Sequence, residues 1–162
     1  MRIKFLTTGG TIDKVYFDAK SEYEVGPPQV ATLLRNVNVA FEFEIESILR
    51  KDSLDMTDAD RALIRQRVTA DPASLIVITH GTDTMIQTAR ALQGIPGKTI
   101  VLTGSMQPAR FQATDAEFNV GTAVAAVQTL PPGIYIAMNG RVFDPDHARK
   151  NLARNCFEET GV

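Results

Sequence analysis

Two short, uninterrupted apolar runs constrain the fold of this chain most strongly. Residues 75–78 read Leu-Ile-Val-Ile, and residues 99–102 read Thr-Ile-Val-Leu. Neither run has a polar face, which is typical of central strands in a parallel sheet, because helices cover both faces of such a sheet. We therefore expect both segments to lie inside a mostly parallel sheet.

Strand and helix patterns alternate along the rest of the chain. Further strand patterns fall at residues 2–7, 41–48 and 133–138, and helical patterns at 28–36, 57–68, 83–92 and 114–130. This alternation predicts an α/β fold: an open, mostly parallel sheet flanked by helices on both faces, the three-layer αβα arrangement of Rossmann and flavodoxin-like proteins. The 162 residues, 44% of them hydrophobic, suit a single domain spanning residues 1–162.

Two helix starts carry the spacing of a capping box, in which a threonine and an acidic side chain three residues later bond to each other's backbone N–H groups. Thr57 and Asp60 have this spacing, and so do Thr114 and Glu117. Helices are therefore expected to begin directly after Thr57 and directly after Thr114.

Two segments show no clear period. Residues 13–27 are charged and longer than a typical βα loop, and loops of this length are often lids, so we expect an irregular, mobile lid there. Asp144 and Pro145 fit the start of a short helix that would carry Lys150, and an irregular segment fits the same residues equally well.

The composition excludes several classes of function. With 17 Lys and Arg against 19 Asp and Glu, the formal net charge is −2, which gives no basic surface for nucleic acid or for a membrane. Cys156 is the single cysteine, which excludes a disulfide framework and a cysteine-rich zinc site. No signal peptide and no apolar stretch of about 18–20 residues is visible, so we expect a soluble, cytoplasmic protein.

Three hydroxyl-rich turns follow three of the predicted strands. They read Thr-Thr-Gly-Gly-Thr at 7–11, Thr-His-Gly-Thr-Asp-Thr at 79–84 and Thr-Gly-Ser-Met at 103–106. Ligands bind beyond the carboxyl ends of parallel strands, so all three turns should crowd one edge of the sheet. Glycine lets the backbone approach a ligand closely, and the hydroxyls can bond to the ligand or attack it.

Each turn also has a purely structural interpretation. Adjacent glycines after a strand often form a tight turn, and a threonine beside a helix start is often a cap. A phosphate-binding loop is a further alternative, but residues 9–12 (Gly-Gly-Thr-Ile) match neither Gly-x-Gly-x-x-Gly nor a loop containing Gly-Lys-Ser/Thr. Two hydroxyl-rich turns together with Asp83 favour nucleophilic chemistry.

The first two turns lie in stretches that resemble the signature motifs of the bacterial-type L-asparaginases and glutaminase-asparaginases. The stretches are residues 8–12 (Thr-Gly-Gly-Thr-Ile) and 80–85 (His-Gly-Thr-Asp-Thr-Met), and the likeness continues through 21–26, 52–56, 104–108 and 138–150. Essentially the whole chain resembles the family's N-terminal domain. The resemblance implies hydrolysis of L-asparagine to L-aspartate and ammonia, without a metal or cofactor.

The resemblance also implies catalytic roles. Thr11 is similar to the family's first-turn nucleophile, and Thr82, Asp83 and Lys150 are similar to its second catalytic group, a threonine activated by a lysine that an aspartate holds. A covalent acyl-threonine splits amide hydrolysis into two easier steps, and a neutral lysine can accept the proton. We hypothesise that Thr11 attacks while Thr82 aids the water or the oxyanion; the reverse assignment is the alternative. His80 is expected to bond structurally rather than act as a base.

Substrate contacts follow from the same resemblance. Ser53 and Asp83 are similar to the groups that hold the α-carboxylate and the α-amine, and Ser105 stands where the family has a small residue near the substrate amide. Tyr23 is similar to the lid tyrosine that closes beside the nucleophile, with Tyr16 as its rival. The full set of expected substrate contacts is Gly10, Ser53, Leu54, Gly81, Thr82, Asp83 and Ser105.

The sequence departs from the family in two respects. Relatives are considerably longer, so the C-terminal domain, which helps to form a neighbouring subunit's site, is expected to be absent here. Leu54 stands where many relatives have a polar residue that touches the substrate amine. Both features predict weaker amine recognition and little glutaminase activity. The absent domain would also leave surface exposed, which predicts association of identical chains, most simply as a homodimer. The alternative is a non-catalytic asparagine- or aspartate-binding module.

Overall fold

The structure is a computed structural model that describes residues 1–17 and 22–161. The strands are β1 (Arg2–Gly9), β2 (Lys14–Phe17), β3 (Glu22–Val25), β4 (Glu42–Lys51), β5 (Leu75–Thr79), β6 (Thr99–Thr103), β7 (Gly133–Met138), β8 (Arg141–Phe143), β9 (Ala148–Asn151) and β10 (Cys156–Glu159). The α-helices are α1 (Val30–Asn36), α2 (Asp58–Ala70), α3 (Met85–Ala91) and α4 (Ala116–Thr129).

The central sheet has six strands in the order β4-β1-β5-β6-β7-β8. The first five run parallel, and β8 returns antiparallel to β7. The mostly parallel sheet predicted from the sequence is therefore confirmed. Because the strand order reverses between β1 and β5, the carboxyl ends of these two strands flank the switch point at which such sheets bind ligands.

Helices cover both faces of the sheet, as the alternation predicted. Successive side chains of a strand point to opposite faces, so Ile76 and Ile78 of β5 pack with α2 and α3, whereas Val77 packs with α1 and α4. All three side chains are fully buried. The apolar run at 75–78 is continuous because both of its faces contribute to a core.

One of the two predicted capping boxes is confirmed and the other is wrong. Thr57 Oγ1 accepts from Asp60 N at 3.2 Å, while the Asp60 carboxylate accepts from Thr57 N at 2.8 Å. At the second site the residue preceding α4 is Asp115, in a helical backbone conformation, and no side chain caps the helix. Thr114 Oγ1 instead accepts from Ala116 N at 3.1 Å, closing a local turn one residue too early for a capping box.

The predicted irregular lid contains a regular hairpin. Strands β2 and β3 pair antiparallel, with Lys14 opposite Val25 and Tyr16 opposite Tyr23. Gly26 N donates to Asp13 O at 2.8 Å and closes the base of the hairpin. Strand β3 alternates polar and apolar residues (Glu-Tyr-Glu-Val), but over four residues only, and none of its side chains is fully buried. Residues 18–21, including Ser21, lie outside the described residues.

Asp144 and Pro145 do begin a short helical turn, but Lys150 lies on a strand beyond it, so neither interpretation of the segment that carries Lys150 is right. A short 3-10 turn at Pro145–His147 begins where Asp144 accepts from Asp146 N, but the turn ends before Lys150. Strand β9 then pairs antiparallel with β10, which places Lys150 opposite Phe157. Within the described parts of the chain, no helix is both long and apolar enough to cross a membrane.

Candidate active site

The first and second threonine turns touch each other through their backbones. Gly10, with φ of 88°, lies so close to the second turn that a Cβ atom there would be 2.4 Å from Gly81 N. Gly10 N also donates to Lys51 O at 2.9 Å, which fixes the turn beside β4. Glycine is required at position 10 because both the positive φ and the close approach exclude a side chain.

The third turn packs against the second in a similar way. His80 N donates to Thr103 O at 2.9 Å, and a Cβ atom on Gly104 would be 2.3 Å from His80 O. The turns that follow β1, β5 and β6 therefore form one continuous surface at the carboxyl edge of the sheet, as the sequence predicted.

Three predicted catalytic side chains meet at the second turn. Lys150 Nζ donates to Thr82 Oγ1 at 2.8 Å and lies 2.6 Å from Asp83 Oδ1. Thr82 is buried and 14% of the Lys150 side chain is exposed, while Asp83 faces solvent. The carboxylate thus holds the amine against a threonine hydroxyl, an arrangement that can activate the hydroxyl or a water bound to it.

Ser53 supplies a buried hydroxyl beside the same turn. It lies on a short 3-10 turn at Ser53–Asp55, where a Cβ atom on Gly81 would be 2.6 Å from Ser53 Oγ. This hydroxyl is buried and has no hydrogen-bond partner among the described residues. Since an unpaired buried hydroxyl is costly, its position at the edge of the site suits a group that a ligand completes.

Leu54 follows Ser53 and is 72% exposed. It lines an open groove of about 490 Å³ together with Asp83 and Lys150, with Leu152 as a second exposed leucine. Leu54, a predicted substrate contact, therefore lies beside the predicted catalytic residues Asp83 and Lys150, and it brings an apolar surface rather than a hydrogen-bonding group.

Thr11 begins a short 3-10 turn directly after Gly10 and is half-buried. The Gly10–Gly81 contact joins the residues that directly precede Thr11 and Thr82. Tyr23 lies farther along the hairpin, half-exposed, with its ring 5.4 Å from that of Tyr16. Because the two tyrosines face each other across the hairpin, strand geometry alone does not choose between them.

Ser105 is buried in the third turn and its hydroxyl donates to Gln107 O. The turn is held by Asp115, whose carboxylate accepts from Met106 N and Gln107 N. Ser105 therefore has a fixed position in the site, and its hydroxyl oxygen remains able to accept a further bond.

A buried asparagine connects the third turn to the strand pair that carries Lys150. Asn119 Nδ2 donates to Gly104 O at 3.0 Å, and Asn119 Oδ1 accepts from Asn139 N at 3.0 Å. Asn139 Oδ1 in turn accepts from Phe157 N at 2.8 Å, and Phe157 is paired with Lys150. The sequence analysis missed this link. Its one local signal is a polar residue, Asn119, at a position of α4 where the helical spacing predicts an apolar one; in the structure Asn119 is fully buried.

Two buried titratable groups support the first two turns. Burial lowers the pKa of His80 to about 4, and the ring accepts from Thr88 Oγ1 at 2.8 Å while bonding Gly81 O at 2.7 Å, which agrees with the predicted structural role. Burial raises the pKa of Asp13 to about 7, against the opposing effects of the Gln29 N–H and of Arg50. The sequence analysis assigned no role to the Asp13 carboxylate.

Both the sequence and the fold of this chain are similar to those of known proteins. The sequence profile of the family described as "Asparaginase, N-terminal" matches residues 2–160. The chain belongs to the asparaginase family. L-asparaginase from Thermococcus kodakarensis is 32% identical over 167 residues, covering 98% of this chain and 51% of that protein. Its solved structure superimposes with a TM-score of 0.86 at 30% identity, again over 98% of this chain and 51% of that one.

Two other relatives show the breadth of the family. The crystal structure of L-asparaginase I from Vibrio cholerae matches with a TM-score of 0.86 at 28% identity, covering 99% of this chain and 52% of that one. A glutamyl-tRNA(Gln) amidotransferase component from Methanococcus vannielii is 30% identical over 154 residues, covering 88% of this chain and 35% of that protein. The chain spans about half the length, or less, of the relatives it matches, and the asparaginase family places it among amidohydrolases.

Proposed function

We propose that this asparaginase-family chain hydrolyses L-asparagine to L-aspartate and ammonia through an acyl-threonine intermediate. The observation that carries the proposal is the contact of Lys150 Nζ with Thr82 Oγ1 at 2.8 Å and with Asp83 Oδ1 at 2.6 Å. Simple binding of an amino acid does not require an amine held against a hydroxyl, whereas activation of a hydroxyl or a water does.

The reaction proceeds in two steps. The Thr11 oxygen attacks the side-chain amide carbon of asparagine, a new C–O bond forms, and the C–N bond breaks as ammonia leaves with the threonine proton. A water placed by Thr82 then attacks the ester carbon: its C–O bond forms, the bond between that carbon and the Thr11 oxygen breaks, and L-aspartate leaves. Lys150 accepts a proton from the water and the Thr11 oxygen takes up a proton, which regenerates the hydroxyl. Asp83 orients the lysine throughout.

The surrounding residues recognise the substrate. The Ser53 hydroxyl, unpaired among the described residues, supports a bond to the α-carboxylate, and Asp83 supports a bond to the α-amine. Backbone N–H groups beside Gly10 and Gly81 line the junction where an oxyanion would form, and such a donor contributes about 3–4 kcal/mol in measured cases. Ser105 stands near the substrate amide, and Tyr23 closes beside Thr11.

Substrate selectivity follows from Leu54. Because its exposed apolar side chain offers no hydrogen bond to the substrate amine, we infer a raised KM for asparagine and little glutaminase activity. Comparable kcat/KM values for glutamine and asparagine would contradict this inference.

We further propose that the protein is cytoplasmic and works as a homo-oligomer, most simply a two-fold dimer. Exposed Leu54 and Leu152 beside the catalytic group support an apolar contact with a second copy. Analytical ultracentrifugation should show a dimer or a larger assembly at micromolar concentration, and a monomer there would contradict the proposal.

The decisive experiment measures ammonia release from L-asparagine and L-glutamine side by side. Thr11→Ala and Lys150→Met should abolish release from asparagine. Arg149→Met is the matched control, because Arg149 is exposed, adjacent to Lys150 and paired with Glu158; it should retain activity. Binding of asparagine or aspartate without ammonia release would favour the non-catalytic binding module.

A further inference from the structure

An aromatic cluster distinguishes the two tyrosines of the hairpin. The Tyr23 ring packs edge-to-face on Phe111, with ring centroids 5.8 Å apart and an interplanar angle of 64°. The other side of Tyr23 contacts Tyr16 at 5.4 Å. Tyr23 is thus the middle ring of the cluster, and it alone of the two tyrosines has a described ring contact outside the hairpin.

Phe111 belongs to a segment that bonds to both ends of the hairpin. Ala109 N donates to Ile12 O at 3.1 Å, where the chain enters β2. Arg110 Nε donates to Gln29 Oε1 at 3.1 Å, just after the chain leaves β3, and Gln29 N donates to Asp13 Oδ1 at 2.8 Å. Phe111 N closes the segment on itself by donating to Pro108 O at 3.0 Å.

The same segment is continuous with the third turn of the site. It begins two residues after Met106, whose N–H is held by the Asp115 carboxylate. Phe111 is therefore connected through a short, bonded stretch of chain to the part of the site that carries Ser105. An aromatic edge contact of this kind has a preferred geometry, so it restricts the ring it touches.

We propose that Phe111 is a positioning residue that fixes the ring of Tyr23 relative to the third turn. The inference rests on the proposed function, because Tyr23 matters for catalysis only if the chain is an amidohydrolase of this type. It assigns the lid role to Tyr23 rather than to Tyr16, since among the ring contacts of the described residues it is Tyr23 that touches Phe111, and Tyr16 touches Tyr23.

The first test observes Tyr23 directly. The chain has only three tyrosines, so protein labelled with fluorotyrosine gives three fluorine NMR signals that single Tyr→Phe variants assign. In Phe111→Ala the Tyr23 signal should shift and sharpen, because the ring current is lost and the ring gains mobility. The signal of Tyr135, on β7, should stay in place. Phe111→Trp, which restores an aromatic edge, should return the Tyr23 signal to a broad, ordered line.

The second test measures turnover of L-asparagine. Phe111→Ala should lower kcat about threefold to tenfold with a smaller change in KM, because the substrate groups on the other turns are untouched. Phe111→Trp should recover most of the loss. Phe118→Ala is the matched control: Phe118 is another exposed phenylalanine, but its ring lies against Gly140. It should change neither kcat nor the Tyr23 signal.

The outcomes separate this inference from the proposed function. An active parent whose Phe111→Ala variant matches Phe118→Ala in kcat overturns the positioning role, as does a Tyr23 signal that is unchanged in Phe111→Ala. A parent that releases no ammonia overturns the proposed function instead, and the fluorine spectrum still decides whether Phe111 fixes Tyr23.

Discussion

The two threonine turns are held in different ways. Thr82 is buried, and its hydroxyl is bonded to an amine that a carboxylate holds in place. Thr11 is half-buried and lies between the end of β1 and the hairpin, positioned by backbone contacts of its neighbour Gly10. The second turn is fixed by side chains brought from distant sequence, and the first mainly by backbone contacts of Gly10 with Lys51 O and with Gly81.

The difference corresponds to two needs of a hydrolytic site. A hydroxyl and its base must be kept in bonding geometry, which favours the buried, side-chain-bonded second turn. The region that admits substrate must be able to open, and Thr11 lies beside a hairpin whose described side chains are half-buried or exposed. We therefore expect the Thr82 side of the site to be the more rigid and the hairpin beside Thr11 to be the more mobile.

The buried titratable groups beside the two turns have pKa shifts of opposite direction. His80 supports the second turn as a neutral ring, and its contribution to stability is present above pH 6.5 and lost as the pH falls through about 4. Asp13 closes the base of the hairpin as a neutral acid, and its contribution is present below about pH 4 and lost as the pH rises through about 7.

The largest effect should come from replacing Lys150, the proposed general base beside the second turn. Lys150→Arg keeps a positive charge, but a guanidinium does not give up its proton near neutral pH, so kcat for asparagine should fall about 10²–10⁴-fold. Steady-state ammonia release checks this. The matched control is the reverse exchange one residue away, Arg149→Lys, which should leave kcat unchanged. If Lys150→Arg keeps more than about a tenth of kcat, lysine acts as a charge rather than as a base.

The next effect tests the base of the hairpin. Asp13 is almost fully buried, so ionising it costs up to about 4 kcal/mol at pH above about 7, since one pKa unit corresponds to about 1.4 kcal/mol. Asp13→Asn removes that cost and should be more stable than the parent by up to this amount, with the advantage vanishing below about pH 4.

Urea unfolding of both proteins between about pH 4 and 8 measures this difference. His80 is common to both proteins, so its opposite pH dependence cancels in the comparison. A stability difference that stays constant over the whole range would show that Asp13 does not titrate there.

Contact between the two turns can be tested with a glycine pair. Gly10 and Gly94 both have positive φ, 88° and 81° respectively. A Cβ atom added to Gly10 would lie 2.4 Å from Gly81 N, whereas one added to Gly94 would have no neighbour within 4 Å. Gly94→Ala should cost about 1–2 kcal/mol for the backbone conformation alone. Gly10→Ala should cost about 3 kcal/mol and also abolish activity, because overpacking separates the turns.

Thermal and urea unfolding, together with ammonia release, measure both glycine variants. Equal losses of stability with retained activity in Gly10→Ala would mean that the turns can separate without consequence.

The smallest effect concerns the link between the third turn and β9. Asn119→Ala leaves the buried Gly104 O and Asn139 N without their partner and should cost about 2 kcal/mol of unfolding free energy. Gln128→Ala is the control on the same helix; Gln128 is exposed, and the change should stay within about 0.5 kcal/mol. If urea unfolding gives equal losses of unfolding free energy for Asn119→Ala and Gln128→Ala, the hydrogen bonds of Asn119 do not stabilise the connection between the third turn and β9.

Much of the fold was predictable because its signals are local. The apolar runs of β5 and β6 and the capping box at Thr57 depend on residues within a few positions of one another. The hairpin was missed because each of its strands has only four residues, so the short alternation Glu-Tyr-Glu-Val at 22–25 is a weak signal. The start of α4 was misplaced because the Asp115 carboxylate bonds to the backbone of a loop nine residues earlier and caps no backbone N–H of its own helix.

The sequence by itself determined where the turns lie and which chemical groups they carry. Strand periodicity brings the hydroxyls near Thr11, Thr82 and Ser105 to one edge of a parallel sheet, since carboxyl ends of parallel strands share an edge. The tertiary structure alone decided that Lys150 lies on a strand, 68 positions from the hydroxyl it contacts, and that Phe111 touches Tyr23. Contacts between distant segments depend on the packing of every element between them, and no local pattern records that packing.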